Sequence, residues 1–290
     1  MSILFTIISL SLLGAVSALV LFFVAQKFKV FEDPRIDLVE EELPAANCGG
    51  CGYAGCRNLA ETMVKSATLD GLYCPVGGNE VMAKIAKVLG REAVAQESRI
   101  AVLRCNGTCE FRPATSHYDG VSSCAVVSLL YGGETGCSYG CLGCGDCVVA
   151  CSFDALHMDP LTGLPVVDEK KCTACGACIK VCPKNLFELR KRWKGDKKIY
   201  VACMNKDRGA VAGKNCKAAC IGCSKCLKVC PYEAITVNDY LAFIDSEKCR
   251  LCRKCVPECP TNSIIEFGFP LKKVITESSA LSTQLNQKEE

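Results

Sequence analysis

Four stretches of the chain repeat one cysteine spacing, C-x2-C-x2-C-x3-C, and this spacing points to a specific chemistry. It is the run that holds [4Fe-4S] clusters in bacterial ferredoxins, where the fourth cysteine ligates the neighbouring cluster of a pair. In the last three runs a proline follows the fourth cysteine and stops a helix there, because it has no N–H. The runs are Cys141-Cys144-Cys147-Cys151, Cys172-Cys175-Cys178-Cys182, Cys220-Cys223-Cys226-Cys230 and Cys249-Cys252-Cys255-Cys259.

Zinc and disulfides are the alternatives for so many cysteines, and the spacing disfavours both. Zinc sites usually combine two C-x2-C pairs across a longer loop, and disulfide frameworks are typical of small secreted chains. This chain has 290 residues and 26 cysteines, with only 7% aromatic residues. Small domains with so little apolar core need the folding energy of bound clusters. The net charge of +3 does not indicate nucleic-acid binding.

A fifth cysteine group has the different spacing C-x2-C-x4-C-x17-C, and its members are Cys48, Cys51, Cys56 and Cys74. Its glycines tolerate a backbone folded tightly over a cluster, so we predict a fifth [4Fe-4S] cluster here, with zinc as the alternative. A helix over 57–69 is expected to bury Leu59, Met63 and Ala67. A second helix is expected between an N-cap at Asn79 and a terminating Gly90, burying Val81, Ile85, Val88 and Leu89.

An uncharged apolar segment opens the chain over residues 3–25. Its 23 residues suffice to cross a bilayer of about 30 Å, and it lacks the basic start of a signal peptide. Lys27 and Lys29 follow it, which predicts a single-pass anchor in the cytoplasmic (inner) membrane with the body on the cytoplasmic side. Cluster-binding thiolates need a reducing compartment, which also indicates the cytoplasmic side. Residues 1–26 are the predicted anchor and 27–47 a solvated, charged linker.

The two halves of the cysteine-rich body repeat one pattern. Predicted strands at 100–105 and 199–203 each end in a cysteine, and Cys137 and Cys216 each lie four residues ahead of a cluster run. The predicted fold is α+β: a transmembrane helix, a helical four-cysteine module at 48–97, and two ferredoxin-like two-cluster units at 98–190 and 191–270. The polar tail at 271–290 is predicted to be disordered.

Within each unit the ferredoxin pattern predicts crossed ligation. The first three cysteines of each run share a cluster with the fourth cysteine of the other run in the same unit. The expected sets are Cys141, Cys144, Cys147 and Cys182; Cys172, Cys175, Cys178 and Cys151; Cys220, Cys223, Cys226 and Cys259; and Cys249, Cys252, Cys255 and Cys230.

Six cysteines remain outside these sets. Cys105, Cys109, Cys124 and Cys137 are candidates for a sixth cluster, and Cys203 and Cys216 resemble the remnant of the same set in the second unit. The alternative is that all six are buried thiols without a cofactor.

The order of a single span, an acidic linker, a four-cysteine module and ferredoxin repeats resembles the B subunit of the Rnf complex. The stretches NCGGCGYAGC (47–56) and GCSYGCLGCGDCVVAC (136–151) carry the resemblance. That family belongs to a membrane-bound, ion-translocating ferredoxin:NAD oxidoreductase. The resemblance implies an electron-transfer subunit with membrane partners, flavin- and NAD-binding partner subunits and soluble ferredoxin as redox partner. Relatives often carry another residue at the place of Cys144, which implies Cys137 as a substitute ligand.

Motifs for substrate chemistry are missing from the sequence. It contains no G-x-G-x-x-G after a strand and no P-loop, and neither His117 nor His157 is paired with a nucleophile. The chain is therefore expected to carry electrons rather than to make or break substrate bonds. A basic segment at 184–198 around Trp193 is either a docking site for an acidic ferredoxin or a solvated loop. The rival functions are a membrane-anchored polyferredoxin serving another enzyme, a redox-regulatory module and a zinc scaffold.

Overall fold

The computed structural model describes residues 2–27 and 32–270. Its first element is helix α1 (Ser2–Lys27). From Phe5 to Lys27 this helix has a mean hydropathy of 2.6 and none of it is buried against the described chain, so by length and composition it can cross a membrane. A helix at the predicted anchor is thus confirmed. Lys29 and the predicted disordered tail at 271–290 lie outside the described residues.

Three helices form the four-cysteine module: α2 (Arg35–Glu42), α3 (Cys56–Lys65) and α4 (Gly78–Leu89). The prediction of a solvated linker over 27–47 is wrong for its second half, because α2 buries Ile36 and Val39 in the module core, and Leu43, just after the helix, is buried there too. Ile36 and Val39 are spaced i, i+3 and therefore share one helix face, although acidic residues surround them in the sequence. Arg57 of α3 pairs with Glu40 at 2.6 Å and fastens the acidic face.

The module helices differ in detail from their predicted bounds. Helix α3 ends at Lys65, so the predicted core residue Ala67 is exposed. Helix α4 begins after Gly77, and Asn79 is not its N-cap, because the Asn79 amide instead exchanges two hydrogen bonds of 2.9 Å with the Gln96 backbone. Gly90 ends α4 in the left-handed conformation, as predicted. The buried face consists of Met82, Ile85, Ala86 and Leu89, and the predicted burial of Val88 is wrong because its side chain is exposed.

The first cysteine-rich unit contains two antiparallel strand pairs. Strand β1 (Arg99–Leu103) pairs with β4 (Phe187–Lys191), so the two ends of the unit meet. Strands β2 (Leu156–Asp159) and β3 (Leu164–Val167) form a hairpin between them. Its helices are α5 (Cys124–Leu130), α6 (Asp146–Val149) and α7 (Ala177–Val181).

The second unit repeats this topology. After a short 3-10 segment (Lys194–Asp196), strand β5 (Lys198–Val201) pairs with β8 (Ile264–Phe267). Strands β6 (Ile235–Asn238) and β7 (Leu241–Ile244) form its hairpin, and its helices are α8 (Gly209–Asn215) and α9 (Lys225–Lys228). The chain is therefore α+β, and both predicted strands end before the cysteine that was expected to close them.

The two units share one apolar core. Ile100 and Val102 of β1 pack with Tyr200 and Ala202 of the second unit, and all four are nearly inaccessible to solvent. Burial of this apolar surface from both sides fixes the units against each other.

Two interface arginines, Arg104 and Arg190, cross from the first unit to the second. Arg104 donates to the Cys203 carbonyl at 3.3 Å, and Arg190 donates to the Ile244 carbonyl at 2.8 Å. Their guanidinium groups lie 5.2 and 5.5 Å from the centre of the Phe243 ring. Burial lowers the pKa of Arg104, and the Glu188 carboxylate at 3.4 Å offsets part of that cost.

The predicted basic segment at 184–198 is neither a free docking surface nor a solvated loop over its whole length. Arg190 belongs to the interface, and Lys198 is buried against Glu169. Lys191 pairs with Glu97, and these contacts take several of the cations away from any partner protein.

Candidate iron–sulfur sites

Four cavities are each walled by cysteines from two runs of the same unit. We number the cavities in chain order. The first cavity is lined by Cys124, Cys141, Cys147 and Cys182. The second is lined by Cys151, Cys172, Cys175 and Cys178. The third is lined by Cys220, Cys223, Cys226 and Cys259. The fourth is lined by Cys230, Cys249, Cys252 and Cys255. The structure therefore brings together the predicted crossed sets, with one difference at the first site.

A recurring backbone conformation turns each run around its cavity. The residue two positions before the third cysteine has a left-handed φ in all four runs, at Gly145 (83°), Gly176 (77°), Ser224 (59°) and Arg253 (65°). In three runs this residue is also the N-cap of the short helix that carries the third cysteine. The turn lets three thiols of one run face the same space, while the fourth leaves on the next turn toward the other cavity.

The side chains of these cavities fit a multi-iron cluster. Each of the four cavities is lined by four cysteines. Within residues 2–27 and 32–270, no three cysteine, histidine or carboxylate groups converge closely enough to hold a single metal ion. A [4Fe-4S] cluster takes four thiolate ligands, so a cavity lined by four cysteines supplies the donor set that such a cluster would need.

Burial disfavours the thiolate form of several cysteines in these cavities. It raises the pKa of Cys178 and of Cys255 to about 12, and that of Cys226 to about 11. Because the ligand is the thiolate, cluster binding must release these protons. Backbone N–H groups donate to two of the sulfurs, from Leu186 to Cys182 and from Ala242 to Cys220, both at 3.4 Å. Such bonds favour the charged form and tune the potential of a bound cluster.

The first site contains a fifth thiol. Cys124 lines its cavity, and the Cys144 thiol lies close enough to Cys124 for the two thiols to affect each other's ionisation. Burial and the proximity of Cys124 raise the pKa of Cys144 to about 11. The Asp146 carboxylate holds Cys124 there, because it accepts hydrogen bonds from Ser123 Oγ at 2.9 Å and from the Ala125 N–H at 3.2 Å.

The structure does not place Cys137 at the first site, where the resemblance implies it as a substitute for Cys144. Cys137 lines a different cavity, and the extra thiol at the first site is Cys124. No spacing in the sequence marks Cys124 for this position, because a long loop separates it from the run and the contact with Asp146 is what closes that loop.

The four-cysteine module gathers three of its cysteines around the start of α3. Burial raises the pKa of Cys74, and the nearby Cys51 and Cys56 thiols add to this shift. The Gly77 N–H donates to the Cys74 sulfur at 3.4 Å. Asn47 accepts a hydrogen bond from the Cys56 N–H at 2.8 Å, which places the half-buried Cys48 beside the same turn.

This module also contacts the second site. Lys180 Nζ donates to the Gly49 carbonyl at 2.9 Å. A Cβ atom added at Gly50 would lie 2.7 Å from the Cys175 carbonyl oxygen, so the two backbones are in direct contact.

The remaining cysteines do not form the predicted sixth set of Cys105, Cys109, Cys124 and Cys137. Cys109 is exposed, with its sulfur 3.6 Å from the Thr162 carbonyl. Cys105 and Cys137 instead line a fifth cavity together with Cys203 and Cys216 of the second unit. The fold separates the predicted four because β1 packs on β5, which brings the ends of those two strands side by side.

Comparisons with known proteins agree with this geometry. Residues 140–208 and 219–263 match the 4Fe-4S dicluster domain family, and residues 43–70 match a family described as a putative Fe-S cluster. The chain is 44% identical over 263 residues to the B subunit of the Na(+)-translocating ferredoxin:NAD(+) oxidoreductase complex of Acetobacterium woodii, covering 89% of this chain and 77% of that protein. It is 40% identical over 252 residues to the B subunit of the ion-translocating oxidoreductase complex of Methanosarcina acetivorans, covering 87% and 94%.

A third relative is the B subunit of the proton-translocating ferredoxin:NAD(+) oxidoreductase complex of Clostridium ljungdahlii. It is 37% identical over 260 residues, which cover 89% of this chain and 90% of the relative. The similarity therefore covers 87–89% of this chain and 77–94% of the three relatives. The chain belongs to the family of B subunits of Rnf-type ion-translocating oxidoreductase complexes.

Proposed function

We propose that this chain is the electron-transfer subunit of a membrane-bound complex that couples electron flow between ferredoxin and NAD+ to translocation of Na+ or H+. The observation that carries the proposal is the set of four cavities walled by crossed cysteine sets, in a body that follows a helix able to span a membrane. The relatives' names support the reaction but differ in the ion, which leaves both ions open for this chain.

Five cysteine sets are proposed as ligands of [4Fe-4S] clusters, which would supply one-electron redox chemistry when bound. The chain's own groups hold them by thiolate bonds, donate backbone N–H bonds to the sulfurs and exclude water from the cavities. The proposed sets are Cys48, Cys51, Cys56 and Cys74; Cys141, Cys144, Cys147 and Cys182; Cys151, Cys172, Cys175 and Cys178; Cys220, Cys223, Cys226 and Cys259; and Cys230, Cys249, Cys252 and Cys255.

The arrangement also defines the partners that this chain needs. The sequence contains no dinucleotide-binding motif, so NAD and flavin are assigned to other subunits of the complex. Soluble ferredoxin is the proposed redox partner, and α1 is the proposed anchor that keeps the body beside the membrane subunits. Lys27 at the end of α1 supports a cytoplasmic position for the body.

The test is an anaerobic purification of the tagged chain from native membranes in mild detergent. Reduced ferredoxin is added and NAD+ reduction is followed, with iron and acid-labile sulfide measured on the same sample. We expect ferredoxin-dependent NAD+ reduction in a fraction that contains further membrane subunits. An iron-rich chain that purifies alone and shows no such activity would refute the complex and favour a polyferredoxin serving another enzyme. A colourless, zinc-containing chain would refute electron transfer itself.

A further inference from the structure

The fifth cavity lies between the two units and takes two cysteines from each. Cys105 follows β1 and Cys203 follows β5, each two residues after its strand ends. Cys137 and Cys216 each precede a cluster run by four residues. The four thiols are therefore two pairs of equivalent positions in the repeat, and they meet because the units pack through a shared core.

This cavity has the same kind of donor set as the other four. Like each site assigned from the cluster runs, it is lined by four cysteines. Cys137, Cys203 and Cys216 are less than 9% exposed, and Cys105 is half-buried. Four thiols, three of them buried and one half-buried, match the donor set of a cubane.

Polar groups around the cavity favour negatively charged sulfur. The fully buried Asn205 donates its backbone N–H to the Cys203 sulfur at 3.4 Å and its side-chain N–H to the Cys137 sulfur at 3.5 Å. Arg112 also lines the cavity. Its buried Nε has no hydrogen-bond partner within the described ranges. Neutral thiols would give this half-buried guanidinium no counter-charge, whereas a thiolate-bound cluster offers it an anion.

Two glycines make room for that guanidinium. A Cβ atom at Gly140 would lie 2.1 Å from Arg112 Nη1, and one at Gly107 would lie 3.2 Å from Arg112 Nε. Arg112 is also tied to the first site, because its Nη2 donates to the Cys141 carbonyl at 2.6 Å. The cation is thus held beside the fifth cavity by the same backbone that carries the first cluster run.

We propose that Cys105, Cys137, Cys203 and Cys216 bind a sixth [4Fe-4S] cluster that bridges the two units. This inference rests on the proposed electron-transfer function and deepens it. On one side the cavity borders the first site, through Arg112 and Cys141. On the other side it borders the third site, because Ala219 lines it and the next residue, Cys220, lines the third cavity.

The bridge completes a linear order of sites along the chain. The four-cysteine module contacts the second site through Gly50 and Cys175, and the second and first sites share one unit through crossed ligation. The bridging site then leads to the third and fourth sites in the other unit. With clusters held by these cysteines, the row would support one-electron exchange between neighbouring sites, with no bond made or broken.

The test uses the full chain, purified anaerobically in detergent, with iron and sulfide counted per chain. Six clusters of four irons correspond to roughly 24 iron atoms, and five to roughly 20. The variants Cys137→Ala and Cys203→Ala are expected to lose about four irons and one cluster's worth of spin intensity in electron paramagnetic resonance after reduction. The matched control is Cys109→Ala, which removes the exposed thiol outside the cavity and should leave both values unchanged.

The wild-type count decides the question even if a variant fails to fold. Roughly 20 irons in the wild type, unchanged in Cys137→Ala, would overturn the bridging cluster. If such a chain still supported ferredoxin-dependent NAD+ reduction, the proposed function would stand without the bridge. A count of roughly 24 that falls by about four in both cavity variants but not in the control would support it.

Discussion

Substitution of Gly50 by alanine tests whether the four-cysteine module docks on the second site. The added Cβ atom would lie 2.7 Å from the Cys175 carbonyl oxygen and 3.0 Å from both Cys175 Cα and Cβ. The first distance is about 0.7 Å shorter than the 3.4 Å at which ordinary contact begins. The atoms in the way belong to or adjoin the backbone, so they cannot rotate aside, and the two bodies must move apart.

The expected cost follows from the energetics of overpacking. Forcing one extra carbon into a tight contact typically costs about 1–3 kcal/mol. Since about 1.4 kcal/mol is a factor of ten, the docked population should fall roughly 5- to 150-fold relative to the undocked one. The intramodule contacts of Cys51, Cys56 and Cys74 are untouched by this change, so the iron content should stay the same.

Hydrogen–deuterium exchange of the cluster-loaded chain measures the effect. Amides at 48–56 and 172–178 should lose protection together in Gly50→Ala, because both sides of the contact become exposed. The matched control is Gly213→Ala, where the nearest atom to the new Cβ is an Ile221 methyl at 3.8 Å and no atom has to shift. Unchanged exchange in Gly50→Ala, with the same iron content, would show that the module does not dock through this contact.

Three further predictions concern the interface, the first site and the anchor. Arg190→Met should lower the free energy of unfolding of the cysteine-rich body by about 3–5 kcal/mol in anaerobic thermal unfolding, because the buried groups that pair with Arg190 lose their partner. The control Lys65→Met, at an exposed position, should change this free energy by less than about 1 kcal/mol. Cys124→Ala and Cys144→Ala should each retain the first cluster, because one thiol remains, and the double variant should lose about four irons; equal loss in both single variants would contradict a shared position. Deletion of residues 2–27 should move the chain from the membrane fraction to the soluble extract, with its iron content intact. If the shortened chain stayed in the membrane fraction, α1 would not be what anchors it.

The sequence by itself determined the features that depend on near neighbours in the chain. The four cysteine runs and the long apolar helix follow from spacings of a few residues, because turn geometry and helical rise act over that range. The crossed cysteine sets were predicted from the ferredoxin pattern, and the structure brings their members to common cavities. The internal repeat was also visible, and it already paired Cys105 with Cys203 and Cys137 with Cys216 as equivalent positions. That equivalence was the signal for the bridging site, but it did not say that the two pairs meet.

Only the tertiary structure decided which distant residues share a site. Cys124 reaches the first cavity because Asp146 closes a long loop, and Cys105 meets Cys203 because two sheets pack through a common core. Arg104 belongs to that same interface, since it donates to a carbonyl 99 positions away in the sequence. Local spacing carries no information about such contacts, because they depend on the packing of whole units. The apolar face of α2 is so short that its acidic neighbours hide it in the sequence, and only the core that buries it reveals the helix.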